Sequence, residues 1–321
     1  MPKPFDGNRG SARPVAPEAG KNVQLFLYHP RQTMAQGYVR LPKSRIFYRT
    51  FGRGEPLVFV HGGPAYHHAY FLPWVRPLGR SFRLLLYDQA GSGRSSKRTD
   101  AQYDFNTMTA DLEGLRRKLR LGRINVLGHS WGGMLALEYA CRHPRAVRRL
   151  ILANSFVSGK DLNRALRRMR NSATEGQRAI LRKHERRGLF RDGPAYPNEY
   201  SRIANQVYTP FVRAHMKQVP RTLASMTLEF DVYRQIWGED GEFRVTGHMR
   251  DWDAAPSLPN LPMPTLVIVG RDDMEEPASA KRIASKIPKG ECAVFERSSH
   301  FPFIEQPALF SAVVADFLSG T

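Results

Sequence analysis

The chain has 321 residues, of which 41% are hydrophobic and 24% are charged, a balance typical of globular proteins. No apolar run approaches the roughly 20 residues that a membrane-spanning helix needs, so we expect no transmembrane segment and no membrane partner. The net charge of +20 is unusual, but no nucleic-acid-reading motif accompanies it. We therefore interpret the basic residues as a solvated surface and do not expect nucleic acid as the partner.

The N-terminal segment and the cysteines both bear on where the protein works. The first twenty residues lack the apolar segment of a secretory signal and are rich in proline, glycine and charge. We expect residues 1–22 to form a flexible arm. The two cysteines, Cys141 and Cys292, have no metal-ligand spacing. We expect both to be buried thiols in a reducing compartment, the cytoplasm.

Short apolar runs of strand type alternate with helix-type segments along most of the chain. Near-continuous apolar runs are typical of strands buried on both faces of a parallel sheet, and the alternation predicts a wound α/β fold. The predicted parallel strands are residues 56–60, 82–87, 124–127, 149–153, 265–269 and 292–295. The predicted antiparallel edge is formed by residues 23–28, 36–41 and 44–50. The predicted helices are residues 107–121, 133–142, 278–287 and 307–318.

This alternation stops after Asn154 and resumes near Leu261. The intervening residues are rich in arginine and aromatic side chains and are mostly helical in character. We therefore expect a helical cap at residues 155–260, inserted into a core made from residues 23–154 and 261–321.

The segment NVLGHSWGGMLALEYA, residues 125–140, contains the candidate nucleophile. A serine hydroxyl is a weak nucleophile at neutral pH, so it needs a neighbouring base and hydrogen-bond donors for the oxyanion that forms. The run from Gly128 to Gly132 fits G-x-S-x-G, a sharp turn between a strand and a helix. A serine in a glycine-rich turn is often structural, but the predicted strand and helix on either side favour Ser130 as a nucleophile.

Two later strand ends supply a base and an acid in the order serine, acid, histidine. His300 follows the strand at 292–295 and is the predicted general base. Asp273 follows the strand at 265–269 and is predicted to orient the imidazole and to stabilise the imidazolium. Asp272 is the competing candidate, and its other interpretation is a cap for the following helix.

The motif VHGGPA, residues 60–65, directly follows another predicted strand. Its two glycines allow a turn that exposes backbone N–H groups, although HGGP can also be a plain tight turn. We predict that the N–H groups of Gly63 and Trp131 form the oxyanion hole. We interpret His129 as a packed residue behind the site, and the glycine-rich loop YDQAGSGRS at residues 87–95 as a wall of the site.

The motifs HGGPA, DQAGSGRS, GHSWGG, EFRVTGHMRDWD, GRDDMEEP and SSHFPF, in this order, resemble those of the proline iminopeptidase branch of the α/β-hydrolase superfamily. The resemblance extends from about Arg45 to the C-terminal end. It implies an α/β-hydrolase fold with an eight-stranded sheet and a helical cap, and neither a metal nor an organic cofactor. It also implies a serine aminopeptidase that releases an N-terminal residue, often proline, from small peptides or amides.

The same resemblance implies that carboxylates bind the free amine of the substrate. One family glutamate corresponds to Glu242 in this chain. The second directly follows the catalytic aspartate, where this chain has Met274, followed by Glu275 and Glu276, and Glu276 is the remaining candidate. Aromatic cap residues are candidates for an apolar substrate pocket, with Trp237 the predicted contact: Tyr208, Phe230, Tyr233, Trp237 and Trp252.

Three functions remain open from the sequence. The first is an aminopeptidase that works through an acyl-enzyme at Ser130. The second keeps the same catalytic residues but acts as an esterase, lactonase or amidase without a free-amine requirement, because the glutamate after Asp273 is missing. The third is a non-catalytic basic binding module built on a hydrolase fold.

Overall fold

A computed structural model describes residues 34–189 and 196–320. The expected arm at 1–22 and the expected strand at 23–28 lie outside these residues. The strands are β1 (Ala35–Arg40), β2 (Arg45–Phe51), β3 (Glu55–Val60), β4 (Phe82–Tyr87), β5 (Ile124–His129), β6 (Val147–Ala153), β7 (Thr265–Gly270) and β8 (Gly290–Phe295). They form one sheet in the order β1-β2-β4-β3-β5-β6-β7-β8.

The strand directions confirm the predicted fold class. β1 pairs antiparallel with β2, and β2 pairs antiparallel with β4, as expected for the edge. The remaining neighbours in the sheet, β4-β3-β5-β6-β7-β8, all pair in parallel. Because the carboxyl ends of parallel strands meet at one edge of a sheet, the loops that follow β3, β5, β6, β7 and β8 converge there.

Buried side chains alternate between the two faces of the central strands. In β3, Val58 and Val60 belong to the apolar cluster on one face, whereas Leu57 and Phe59 belong to the cluster on the other. All four side chains are fully buried. A strand covered on both faces has no polar side to show, which is why its sequence is a continuous apolar run.

Ten helices accompany the sheet in the described part of the chain. They are α1 (Phe105–Lys118), α2 (Trp131–Arg142), α3 (Gly159–Ser172), α4 (Glu175–Arg187), α5 (Asn198–Val212), α6 (Arg221–Ala224), α7 (Phe230–Ile236), α8 (Pro277–Ser285), α9 (Pro302–Glu305) and α10 (Pro307–Ser319). Helix α1 begins before its predicted start because Asp104 and Thr107 form a capping box that satisfies its first N–H groups.

Helices α3 to α7 lie in the chain between β6 and β7, where the predicted strand and helix alternation stops. Many arginines of this insertion are paired with carboxylates, among them Arg170 with Glu185 at 2.5 Å and Arg164 with Asp161 at 2.7 Å. Arg164 is exposed, as expected for a solvated basic surface, whereas Arg170 is partly buried.

The two cysteines differ from expectation. Cys141 and Cys292 are free thiols, as predicted, but both are only partly buried. Cys292 lies in β8, which is an edge strand and is therefore covered less completely than the central strands.

Candidate active site

Ser130 lies at the sharp turn between β5 and α2. Its φ of 55° and ψ of −127° are a strained conformation for a residue other than glycine. Its N–H donates to the carbonyl oxygen of Ala153 at 2.9 Å, and its own carbonyl oxygen accepts from the Ser155 hydroxyl at 2.8 Å. These bonds to the end of β6 hold the strained turn in place.

The glycines on either side of this serine allow strand and helix to pack closely. A Cβ atom at Gly132 would collide with the carbonyl oxygens of Val60 and His61. A Cβ atom at Gly128 would collide with the backbone of Gly132. The G-x-S-x-G spacing is therefore a packing requirement of this turn.

His300 and Asp273 form a buried hydrogen-bonded pair. The imidazole Nδ1 lies 2.8 Å from the Asp273 Oδ1, and each residue is 5% exposed. Because Nδ1 faces the carboxylate, Nε2 is the ring nitrogen that remains for proton transfer. Ser130 and His300 line the same cavity.

The competing acid lies elsewhere. The Asp272 carboxylate is about half exposed and lies 2.6 Å from Nε2 of His215. It does not cap the following helix either, since the residue before α8 is Glu276, which makes no side-chain cap bond. Of the two aspartates, Asp273 is therefore the one that the structure places beside the imidazole.

Asn154, the first residue after β6, is a site residue that sequence reasoning missed. Its Nδ2 donates to the Asp273 Oδ2 at 2.9 Å and to the carbonyl oxygen of Ser299 at 2.9 Å. The other oxygen of Asp273 accepts from the N–H of Met274 at 2.7 Å. The available signal was a polar residue at the carboxyl end of a central strand.

The two predicted oxyanion donors, Gly63 and Trp131, line the same cavity as Ser130. Trp131 is the first residue of α2, so its N–H has no partner in a preceding helical turn, and the helix dipole favours negative charge there. Gly63 lines the cavity with Ser130. The neighbouring Gly62 already donates its N–H to the Tyr70 hydroxyl at 2.6 Å.

The glycine-rich loop at 87–95 has a different place from the one expected, because none of its residues lines the cavity. Gln89 instead lies behind the oxyanion loop. Its Oε1 accepts from the indole N–H of Trp131 at 2.8 Å, and its Nε2 donates to the carbonyl oxygen of His61 at 2.7 Å. Gln89 thus ties the two predicted oxyanion segments together. Burial lowers the pKa of His61 to about 4, so its neutral Nε2 accepts from the Gln89 N–H at 3.0 Å.

A cavity of about 460 Å³ lies above Ser130, between the core and the insertion. Most of the predicted aromatic residues line it: Tyr208, Phe230, Tyr233 and Trp237. Trp252, the fifth candidate, does not line it. Its indole stacks on Phe105 at 4.7 Å and donates to Glu138 at 2.8 Å, so it secures the insertion to the core.

Glu242 is the one carboxylate that lines the cavity among the described residues. Its Oε1 accepts from the Tyr233 hydroxyl at 3.1 Å, and its backbone is held by Tyr200 and Tyr208. Burial raises the pKa of Glu242 to about 7, against the opposing effect of the tyrosine hydrogen bonds. A cationic partner would favour its charged form.

Glu276 does not reach this cavity, contrary to expectation. Its carboxylate is more than half exposed and lies 3.3 Å from the Arg168 guanidinium. The reason is its place just before Pro277, where α8 begins at the surface. Met274 lines the cavity instead. Glu275 is buried away from the cavity, and burial together with the charge of Asp273 raises its pKa well above the usual range.

No helix in residues 34–189 or 196–320 is long and apolar enough to cross a bilayer. In the same residues, no group of three or more His, Cys, Asp or Glu side chains is arranged to hold a metal ion.

The chain is similar in sequence to known proteins. Residues 55–307 match the family model of the alpha/beta hydrolase fold. The chain is 35% identical over 291 residues to the proline iminopeptidase of Levilactobacillus brevis, an alignment that covers 88% of this chain and 96% of the relative. The chain belongs to the proline iminopeptidase family of α/β hydrolases.

Solved structures agree with this family. The crystal structure of proline iminopeptidase from Mycobacterium smegmatis is 28% identical, with a TM-score of 0.76, and the match covers 89% of this chain and 98% of that one. The crystal structure of VinJ is 30% identical, with a TM-score of 0.80 and the same coverage. The present member of the proline iminopeptidase family is therefore a serine hydrolase.

Proposed function

We propose that the protein is an aminopeptidase that releases an N-terminal residue, proline or another small apolar residue, from short peptides or amides. The observation that carries this proposal is the carboxylate of Glu242 in an otherwise largely apolar cavity shared with Ser130. An α-amino group has a pKa near 8 and is largely cationic at neutral pH. A charge-assisted bond to a carboxylate contributes about 1.5–3 kcal/mol, enough to select free N-termini.

Acylation uses Ser130, at the turn between β5 and α2, and the residues around it. Ser130 Oγ attacks the scissile carbonyl carbon while Nε2 of His300 takes the hydroxyl proton. The N–H groups of Gly63 and Trp131 stabilise the oxyanion, and Asp273 stabilises the imidazolium. His300 then gives its proton to the leaving nitrogen, and the carbon–nitrogen bond breaks.

Deacylation repeats these roles with water as the nucleophile. His300 takes a proton from the water, whose oxygen attacks the ester carbonyl at Ser130. Collapse of the intermediate returns the proton to Ser130 Oγ and releases the free amino acid. In this scheme burial strengthens the attraction of the oxyanion to its N–H donors and of the imidazolium to Asp273.

We assign residues 155–260 as the cap and residues 23–154 and 261–321 as the two parts of the core. The support for this assignment is the cavity, since it lies where the insertion meets the carboxyl edge of the sheet. The two free thiols support a reducing compartment, and we place the protein in the cytoplasm.

The test compares a prolyl arylamide with its N-acetylated form. We expect turnover of the free amine and at least tenfold lower kcat/KM for the blocked substrate. Ser130→Ala and His300→Ala should each lower kcat by about 10⁴-fold or more. Wild-type-like rates in either variant would refute the catalytic assignment.

A second function has one observation in its favour, namely that Met274 lines the cavity where a second acid was expected. Equal cleavage of the free and acetylated substrates would replace the aminopeptidase with an esterase or amidase that uses the same residues.

A further inference from the structure

The cavity has two walls of different character. The wall that carries Glu242 includes Phe156, Leu162 and Trp237, which belong to one apolar cluster of the protein. A second wall is formed by Phe301 and three further apolar residues that pack against the other cluster, one of which, Val212, also packs against the first. These three residues are Val212, Leu223 and Met226.

The second wall adjoins the catalytic imidazole. Phe301 directly follows His300, and the two rings lie 5.3 Å apart. The N–H of Ala214, just beyond the end of α5, donates to the Ser299 hydroxyl at 3.1 Å, on the residue before His300. The chain around residues 212–214 is thus attached to the segment that carries the imidazole.

One cation lines the cavity at this place. Arg213 donates from Nη2 to the Thr209 hydroxyl at 3.2 Å. Within residues 34–189 and 196–320, no carboxylate lies within 4.0 Å of its guanidinium, in contrast to most arginines of the insertion. The Tyr66 hydroxyl, also in the cavity, has its pKa raised to about 12 by burial, with Glu242 raising it further and Arg213 lowering it. Both charges therefore act within one cavity.

The roles of Glu242 and His300 indicate which part of the substrate lies against each wall. If the substrate amine binds Glu242, the acyl part of the substrate occupies the first wall. The leaving nitrogen must then face His300, because His300 gives it a proton. The group carried by that nitrogen consequently lies against the second wall, beside Arg213.

We propose that this second wall is a leaving-group subsite for an apolar residue with a free C-terminal carboxylate, which pairs with Arg213. The proposal rests on the proposed aminopeptidase function and names its substrate class as dipeptides with an apolar second residue. In a zwitterionic dipeptide, the ammonium meets Glu242 and the carboxylate meets Arg213. Arginine is suited to this role because its guanidinium matches a carboxylate in a bidentate manner.

The experiment compares prolyl-leucine with prolyl-leucinamide, which differ only in the C-terminal charge. We expect the wild-type enzyme to prefer the acid by about tenfold in kcat/KM. Arg213→Gln should lower kcat/KM for the acid about tenfold while leaving the amide within about twofold, which also shows that the variant folds. Arg213→Lys should restore part of the preference. Arg202→Gln is the matched control, since Arg202 lies exposed on α5, the helix that ends just before Arg213, and outside the cavity.

The apolar part of the subsite has its own comparison. Leu223→Ser should reduce the preference for prolyl-leucine over prolyl-serine several-fold. Equal losses on acid and amide in Arg213→Gln, or a wild-type enzyme without preference for the acid, would overturn the subsite. Failure of the aminopeptidase proposal looks different: the wild-type enzyme would then cleave N-acetylated substrates as fast as free ones.

Discussion

The Nε2–H of His129 donates a 2.7 Å hydrogen bond to the backbone carbonyl oxygen of His300. A carbonyl can only accept, so Nε2 carries the proton, and in the neutral ring Nδ1 accepts from the Tyr70 hydroxyl at 3.0 Å. Tyr70 in turn accepts the Gly62 N–H at 2.6 Å. A directed chain of bonds therefore connects the loop after β3, the turn that carries Ser130 and the segment that carries His300.

This chain requires a neutral imidazole at position 129. Burial lowers the pKa of His129 well below its usual value, and the neighbouring charge of His300 acts in the same direction. The two rings lie 4.8 Å apart. A neutral His129 leaves the imidazolium of His300 without a repelling neighbour during turnover.

Replacing His129 should impair the placement of His300 without removing any reacting group. We expect His129→Ala to lower kcat about 10- to 100-fold with a small change in KM, because the carbonyl of His300 loses its donor. His129→Gln should recover much of the rate, since its amide N–H can replace Nε2–H. Steady-state kinetics on a prolyl arylamide check this, with the exposed His248→Ala as control. A His129→Ala enzyme with wild-type kcat would contradict the positioning role.

Asn154 provides a second prediction. Its φ of 52° is left-handed, so Asn154→Gly keeps the backbone unstrained while removing the amide that holds Asp273. We expect about a tenfold loss of kcat for Asn154→Gly. Asn154→Asp should lose more, because a second carboxylate would face Asp273 and the carbonyl of Ser299.

The measurement is kcat for the two variants over a range of pH. The Asn154→Asp enzyme should lose activity most strongly where both carboxylates are ionised. If Asn154→Asp were as active as the wild-type enzyme, the hydrogen bonds from the amide would have no catalytic role.

The sequence predicted those parts of the site that local spacing determines. The bounds of the eight described strands agree with the prediction within two residues, and Ser130, Asp273 and His300 follow strand ends that parallel pairing brings together. Side-chain direction in loops and caps was less predictable. Glu276 and Trp252 have the expected residue types, but the start of α8 and the packing against Phe105 turn them away from the cavity.

The positioning residues were hidden for a different reason. Gln89, Asn154 and His129 act through bonds to segments far away in sequence, for example 171 residues apart for His129 and His300. No local sequence pattern indicates which distant segment such a residue contacts. Arg213 also gave no signal, because the chain contains many arginines and only its place in the cavity distinguishes it.

The pKa of Glu242 predicts how substrate recognition depends on pH. Because burial raises this pKa to about 7, the carboxylate is protonated below pH 7 and attracts the substrate ammonium less. The kcat/KM for a prolyl arylamide should therefore fall as the pH decreases through 7, and again above about 8 as the amine loses its charge. In Glu242→Gln, kcat/KM should be about 10- to 100-fold lower and this acid limb should weaken.

A neutral ester without an amine is the control for that profile. Its kcat/KM should be similar in the wild-type enzyme and in Glu242→Gln at every pH, because it has no charge for Glu242 to bind. A Glu242→Gln enzyme that still rejects N-acetylated substrates would mean that another group recognises the amine.

The same carboxylate should lower stability at alkaline pH. The pKa of this carboxyl group is higher in the folded protein than its unfolded value of 4.5. Its contribution to the free energy of unfolding therefore decreases as the pH rises from about 4.5 through 7. Glu242→Gln removes this loss while its amide oxygen can still accept from Tyr233. At pH 8 we expect the variant to be more stable than the wild-type protein by about 3 kcal/mol, or about 4–5 °C in Tm. Near pH 4.5 the difference in stability should vanish.

Thermal unfolding at both pH values measures this difference. Glu239→Gln, which replaces an exposed carboxylate in the same segment, is the control and should change Tm little at either pH. An equal Tm for the Glu242→Gln and wild-type proteins at pH 8 would contradict this prediction. It would show that ionised Glu242 does not destabilise the folded enzyme before substrate binds.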